Sequence, residues 1–187
     1  MRVIAGLAKG REIIAPKGLN TRPTLAKVKE AIFGMIQFDI EGAAVLDLFS
    51  GSGGLGLEAI SRGAECVTFC DHDRAAYSAV KANLKRLEFE DRADVRFGDS
   101  IALITTLAHE GKQFDIVLLD PPYESDLESR AIRQLCECGV LKPSAILICE
   151  HSLKNPPVFP LGFNVRKAKK YGDSFVTYAA YEGEDEA

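Results

Sequence analysis

No apolar run in the 187-residue sequence approaches the roughly 20 residues that a membrane-spanning helix needs, so nothing in it reads as a membrane span. Met1-Arg2-Val3-Ile4 leads straight into turn residues without the apolar core of a secretory signal, and a cytoplasmic protein is expected. Neither an internal repeat nor a low-complexity linker divides the chain. Its length suits one domain, able to bury about 70% of the surface that the unfolded chain exposes.

A zinc pattern is missing too. The cysteines are Cys66, Cys70, Cys136, Cys138 and Cys149. The Cys136-x-Cys138 spacer is shorter than structural zinc sites use, and no second Cys/His pair follows. No metal is expected, and the cysteines read as buried free thiols. Positive charge is in short supply as well, with 23 Lys and Arg against 27 Asp and Glu and a net charge of −4. That balance fits poorly with a nucleic-acid surface, which gathers cations to release phosphate counterions. Distribution matters more than the sum. Arg2, Lys9, Arg11, Lys17, Arg22, Lys27 and Lys29 crowd the first thirty residues against only Glu12 and Glu30. Arg166, Lys167, Lys169 and Lys170 form a second cluster, and Glu182, Glu184, Asp185 and Glu186 an acidic tail. Each cluster by itself reads equally well as a solvated face.

What is present is a 47% hydrophobic composition arranged in a clear order. Residues 1–22 alternate short apolar pieces with Gly, Pro and Asn, which predicts a small hairpin. After Pro23, Thr24 can cap a helix whose apolar positions Leu25, Val28, Ile32, Met35 and Ile36 follow helical spacing. From Ala43 onward, apolar runs at 44–48, 66–70, 94–97, 114–119 and 145–149 alternate with helical segments near 54–62, 73–87, 100–109 and 125–138. Continuous apolar strands joined by helices predict an α/β fold, doubly wound, with a mostly parallel sheet covered on both faces. The last two strand candidates, 163–167 and 174–181, have no helix between them and predict a hairpin that brings an antiparallel strand into the sheet.

Three motifs carry chemistry. In Asp47-Leu48-Phe49-Ser50-Gly51-Ser52-Gly53-Gly54-Leu55-Gly56 a strand ends in a glycine-rich turn and a helix begins. Gly51-x-Gly53-x-x-Gly56 is formally a dinucleotide fingerprint, and Asp71 stands where a ribose-binding acid is expected, so this pattern alone does not separate NAD from S-adenosylmethionine. Asp47 separates them, because a carboxylate just before the loop repels a pyrophosphate and attracts the ammonium and sulfonium of a methyl donor. A capping role for Asp47 at the strand end stays open. Asp99, after the third run, can accept from an adenine amino group or cap the following helix, and the two readings are equal.

Asp120-Pro121-Pro122-Tyr123, directly after the fourth run, is the most specific signal. An exocyclic amine is a poor nucleophile because its lone pair is delocalised. Methylating it calls for acceptors that hold its hydrogens as the nitrogen pyramidalises. The Asp120 carboxylate and the Pro121 carbonyl are two such acceptors, and consecutive prolines stiffen the backbone that aims them. Tyr123 offers a stacking face for a base, worth about 1 to 3 kcal/mol. A methyltransferase acting on an exocyclic amino group follows. DNA adenine or cytosine, or a protein glutamine, are alternative substrates, and an NAD- or nucleotide-binding protein is the alternative of another class. Thr21-Arg22-Pro23-Thr24 offers a guanidinium and two hydroxyls beside the basic hairpin, or simply a helix-entry turn.

With these pieces in place, the chain resembles the bacterial 16S ribosomal RNA guanine-N2 methyltransferase family, the RsmD-like proteins, over nearly its whole length. The resemblance rests on Arg2-Val3-Ile4-Ala5-Gly6 with Lys9-Gly10-Arg11, on Thr21-Arg22-Pro23-Thr24 with Val28-Lys29-Glu30-Ala31, and on Asp47 to Gly53 with Leu55-Gly56-Leu57-Glu58-Ala59. Ser61-Arg62-Gly63-Ala64, Asn83-Leu84, Asp120 to Tyr123, Glu150 and Tyr171-Gly172 complete it. It implies a seven-stranded class I methyltransferase sheet with one antiparallel strand, comprising a hairpin-and-helix extension over 1–40 and a catalytic core over 41–187. It implies S-adenosylmethionine as cofactor and, as substrate, a guanine N2 of 16S ribosomal RNA within an assembling small subunit, met by a monomer. Carried over by position, Asp47, Gly51 and Gly53 face the methionine part, Asp71 the ribose and Asp99 the adenine, and Phe49, Ser50, His72 and Ser100 complete the cofactor-binding set. Asp120, Pro121, Pro122 and Tyr123 hold the guanine, and Arg2, Lys9, Arg11, Arg22 and Thr24 contact RNA. Two positions depart from the family pattern: Ala26 stands where an Asp is common, and Asp71 where a Glu is common. No carboxylate role is therefore assigned to the first helix.

Overall fold

The computed structural model describes residues 1–15, 26–122, 126–172 and 174–183. The apolar runs become β1 (Ala44–Asp47), β2 (Cys66–Asp71), β3 (Ala93–Phe97), β4 (Phe114–Leu119) and β5 (Leu141–Ser152), followed by β6 (Phe163–Tyr171) and β7 (Ser174–Tyr181). Between them lie α1 (Ala26–Met35), α2 (Gly54–Ser61), α3 (Arg74–Leu87), α4 (Ser100–His109) and α5 (Leu127–Glu137). One sheet of seven strands holds them in the order β3-β2-β1-β4-β5-β7-β6. The first five strands pair in parallel, and β7 runs against both of its neighbours, as the helix-free tail predicts.

Successive strand residues point to opposite faces, and each face meets its own helices. On one side Val45, Val67, Phe69, Ile116, Leu118, Ile148 and Val176 pack with Val28, Ile32 and Phe33 of α1, Leu57 and Ile60 of α2, and Val80 and Leu84 of α3. On the other side Leu46, Val117, Leu119, Leu147 and Cys149 pack with Ile104 and Leu107 of α4 and Ala131, Ile132 and Leu135 of α5. Helices on both sides explain why these strands are apolar throughout. No helix among the described residues is long and apolar enough to cross a membrane.

The predicted hairpin forms over residues 1–15 around a single antiparallel bridge between Arg2 and Glu12, with Val3 N donating to Arg11 O and Ile13 N to Met1 O. Residues 16–22 and the predicted cap Thr24 lie outside the described residues, as does Leu25. The hairpin is bolted to α2. Ser61 accepts from Ala8 N and donates to Ala5 O, and a side chain at Gly6 would overlap the Ser61 carbonyl, so only glycine fits there.

Three expectations change. Lys29, counted in the amino-terminal basic cluster, is fully buried, its ammonium 3.1 Å from Glu58. Glu58 needs such a partner because it is itself buried, where it also accepts from Ile4 N, Ala5 N and Arg62 Nε. Of the five free cysteines only Cys70 and Cys149 are buried; Cys66 is exposed because it begins an otherwise buried strand. Finally, β6 does not stop at Lys167 but runs to Tyr171, since pairing with β7 continues to Tyr171 opposite Ser174. A hydrophobicity reading loses an edge strand whose final residues are mostly lysine.

Candidate active site

The strand order reverses between β1 and β4: from β1 the chain builds outward through β2 and β3, and then restarts at β4 on the other flank. At such a switch point the loops leaving adjacent strand ends diverge and open a crevice, where open α/β sheets bind their ligands. Asp47 ends β1, Asp71 ends β2, Gly98-Asp99 follows β3 and Asp120 follows β4. The motifs singled out in the sequence therefore converge on one edge of the sheet, from four neighbouring strands.

The loop between β1 and α2 is shaped by hydrogen bonds that dictate its glycines. Ser50 N donates to Cys70 O, Gly53 N to Ser50 O at 2.7 Å, and Gly51 N to Asp71 Oδ2 at 2.8 Å. Gly51 and Gly53 adopt φ values of 51° and 80°, in the left-handed region. A methyl group at Gly51 would meet nothing within 4 Å, so that backbone faces open space where a ligand can approach. At Gly56 it would lie 2.2 Å from the Phe69 ring, so this third glycine serves to bring α2 close to β2.

Asp47 is 1% exposed, and its Oδ2 accepts from Gly56 N at 2.9 Å. The capping reading left open by the sequence is thus met. Burial pushes its carboxyl up to about 7; the Gly56 amide opposes this and the Asp71 charge adds to it. A cation placed nearby would restore the ionised form, whereas a pyrophosphate would not, so this carboxylate fits the ammonium–sulfonium chemistry of S-adenosylmethionine. Asp71 accepts from Gly51 N through one oxygen and from Asp73 N through the other, each at 2.8 Å. Each carboxylate oxygen has a second lone pair for a hydroxyl. His72 is largely exposed, with Nδ1 3.7 Å from Asp71 Oδ1.

Other predicted residues fix the frame. The Ser100 hydroxyl is buried and donates to Leu48 O at 2.7 Å, tying the start of α4 to the end of β1. The Ser50 hydroxyl turns to Cys70 O, and half-buried Phe49 packs in the core under α4 and α5. Asp99 caps α4 by accepting from Ala102 N at 2.9 Å, yet stays exposed.

Asp120 is half-buried, Pro121 buried and Pro122 exposed; Tyr123 lies outside the described residues. Leu119 pairs with Cys149, which sets Asp120 level with Glu150. Burial first, then the charges of Glu128, Asp120 and Glu150, push the Cys149 thiol well up. Glu128 and His151 escaped sequence reading. Glu128 is 3% exposed and burial raises its carboxyl. His151 is held between Thr177 Oγ1, at 2.9 Å, and Ser152 O, and stacks on Phe175. A polar pair, Glu150-His151, closing an apolar central strand was the available signal.

The basic arm is partly committed to the protein. Arg11 bonds the carbonyls of Arg86 and Leu87 at the end of α3, Arg2 pairs with Glu12 at 3.3 Å, and Lys9 is exposed. Arg22 and Thr24 lie outside the described residues. Asn83, buried in α3, accepts from Ile14 N and donates to both Ile14 O and Ser52 O. One amide thus joins the end of the hairpin to the glycine loop.

A seven-stranded sheet of this order, with a glycine loop, a strand-end acid and an Asp-Pro-Pro segment at its switch point, defines an S-adenosylmethionine-dependent methyltransferase of class I. The model of the family described as Conserved hypothetical protein 95 matches residues 1–180, and the chain belongs to that family. It is 36% identical over 183 residues to the ribosomal RNA small subunit methyltransferase D of Haemophilus influenzae, spanning 97% of this chain and 93% of that one. The protein of the same name from Escherichia coli K12 is 34% identical over 185 residues, 98% of this chain and 90% of that one. The solved structure of yhhF from Escherichia coli superposes with a TM-score of 0.87 at 31% identity, covering 98% of this chain and 99% of that one.

Proposed function

We propose that the protein methylates the N2 amino group of a guanine in 16S ribosomal RNA, acting as a cytoplasmic monomer on an assembling small subunit. The observation that carries this reading is the position of Asp120-Pro121 beside the switch point, next to the open backbone of Gly51 and the buried Asp47. The names of its full-length relatives support the ribosomal RNA substrate.

S-adenosylmethionine supplies an electrophilic methyl group. In this reading Asp47, Gly51 and Gly53 hold its methionine end, with Phe49 and Ser50 shaping their loop. Asp71 and His72 take the ribose, and Asp99, beside the anchored Ser100, takes the adenine. The Asp120 carboxylate and the Pro121 carbonyl accept from the guanine amino group, Pro122 stiffens the turn and Tyr123 stacks on the base. These acceptors stabilise the positive charge that develops on nitrogen, which lowers the barrier directly. Residues 1–40 form the RNA-contacting extension, through Arg2, Lys9, Arg22 and Thr24, on a catalytic core of 41–187. Arg11 steadies that extension against α3.

The test is incubation with labelled methyl donor and immature small subunits. Label that is lost to ribonuclease, survives protease and elutes with guanine is expected. Label in adenine or in protein would overturn the reading.

A further inference from the structure

The chain's second basic cluster falls on β6, the unpaired edge of the sheet, where Arg166, Lys167, Lys169 and Lys170 are all exposed. Arg166 is drawn back to Glu182 at 2.5 Å. Among the described residues no carboxylate lies within ion-pair distance of Lys167, Lys169 or Lys170.

The register says where these lysines stand. Glu150 pairs with Val176, and Val176 with Lys169, while Leu119 pairs with Cys149. Lys169 is therefore level with Glu150 and with Asp120, on the sheet edge that presents the catalytic loops. Three strand spacings separate β6 from β4, about 14 Å in all, a distance that nucleotides flanking a target base can span. Val176, opposite Lys169, belongs to the core under α1, α2 and α3, and the Lys169 ammonium sits 5.5 Å from the Tyr171 ring. Alternation places Lys167, Lys169 and Tyr171 together on that face, the same face that carries the basic hairpin. Lysine on an edge strand also discourages pairing with another sheet, but that role is indifferent to where along the strand the charge lies. Here the lysines without an ion pair among the described residues are gathered at the catalytic end.

We infer that Lys167 and Lys169, with Tyr171 beside them, form a docking track for the phosphate backbone of the RNA next to the methylated base. The track rests on the RNA reading above. Neutralising two phosphate contacts removes about 0.7 each from the slope of log affinity against log salt for a single strand, or about 1.4, and weakens binding roughly tenfold at 0.15 M salt.

The experiment compares wild type with the pair Lys167→Gln/Lys169→Gln on immature small subunits. The expected result is a roughly tenfold higher KM for the particle and a salt slope smaller by about 1.4, with kcat and S-adenosylhomocysteine affinity unchanged. The pair Lys167→Arg/Lys169→Arg keeps wild-type KM and slope. Glutamine variants with wild-type KM and slope overturn the track, as does an arginine pair as impaired as the glutamine pair. Wild-type protein that labels no RNA overturns instead the functional reading beneath it.

Discussion

Replacing Asp47 by Asn tests the electrostatics of the site most sharply. The amide keeps the shape and an oxygen to accept from Gly56 N, and removes only the ionisable carboxyl. In the folded protein that carboxyl titrates at about 7 instead of its ordinary 3.8. Between those values the native state holds a proton that the unfolded chain has lost. The group's contribution is therefore fully present below the lower value and is lost as pH rises to the upper one. Three units at about 1.4 kcal/mol each give about 4 kcal/mol in total, of which about 3 kcal/mol falls between pH 5 and pH 8. Urea unfolding of both proteins at these pH values, without ligand, should show Asp47→Asn gaining about that much stability relative to wild type at the higher pH. Because a cation beside Asp47 favours its ionised form, donor binding to wild type should release a proton near neutral pH and tighten as pH rises through about 7. Calorimetry in buffers of different ionisation enthalpy reads that proton, and the variant should lack it. A stability difference that does not change with pH would refute the reasoning.

Asp120→Ala should leave S-adenosylhomocysteine affinity unchanged by calorimetry while lowering kcat roughly a hundred- to a thousandfold, the scale of one lost transition-state contact. Glu58→Ala leaves the Lys29 ammonium buried without its partner and should cost about 3 to 5 kcal/mol in chemical denaturation, part of which Lys29→Met added to it should recover. Gly56→Ala drives a methyl group into the Phe69 ring and should destabilise by about 1 to 3 kcal/mol, read as a lower denaturation midpoint.

The sheet was legible because its strands are covered on both faces and its helices carry their own punctuation: Asp73 and Asp99 cap α3 and α4 with their side chains. The convergence of Asp47, Asp71, Asp99 and Asp120 was legible for the same reason, since each follows an apolar run and parallel strands share one end. Sequence failed where a residue's fate depends on distant neighbours. Lys29 looks like surface charge until Glu58, on another helix, draws it inside. Arg11 reads from sequence only as a cation for RNA, and nothing local announces that its guanidinium also bonds the carbonyl end of α3. The second half of β6 is a strand only because β7 pairs with it, and its lysines conceal that. Ser100 sits at the predicted place, yet its hydroxyl serves β1.

The central claim is methyl transfer to a guanine amino group. Nucleoside mass spectrometry of 16S RNA, taken from small subunits lacking the modification and treated with this protein and S-adenosylmethionine, tests it directly. Appearance of N2-methylguanosine at one position, abolished by Asp120→Ala, is the predicted result. Unmodified guanine, or a methyl group found on another base or on a ribosomal protein, would contradict it.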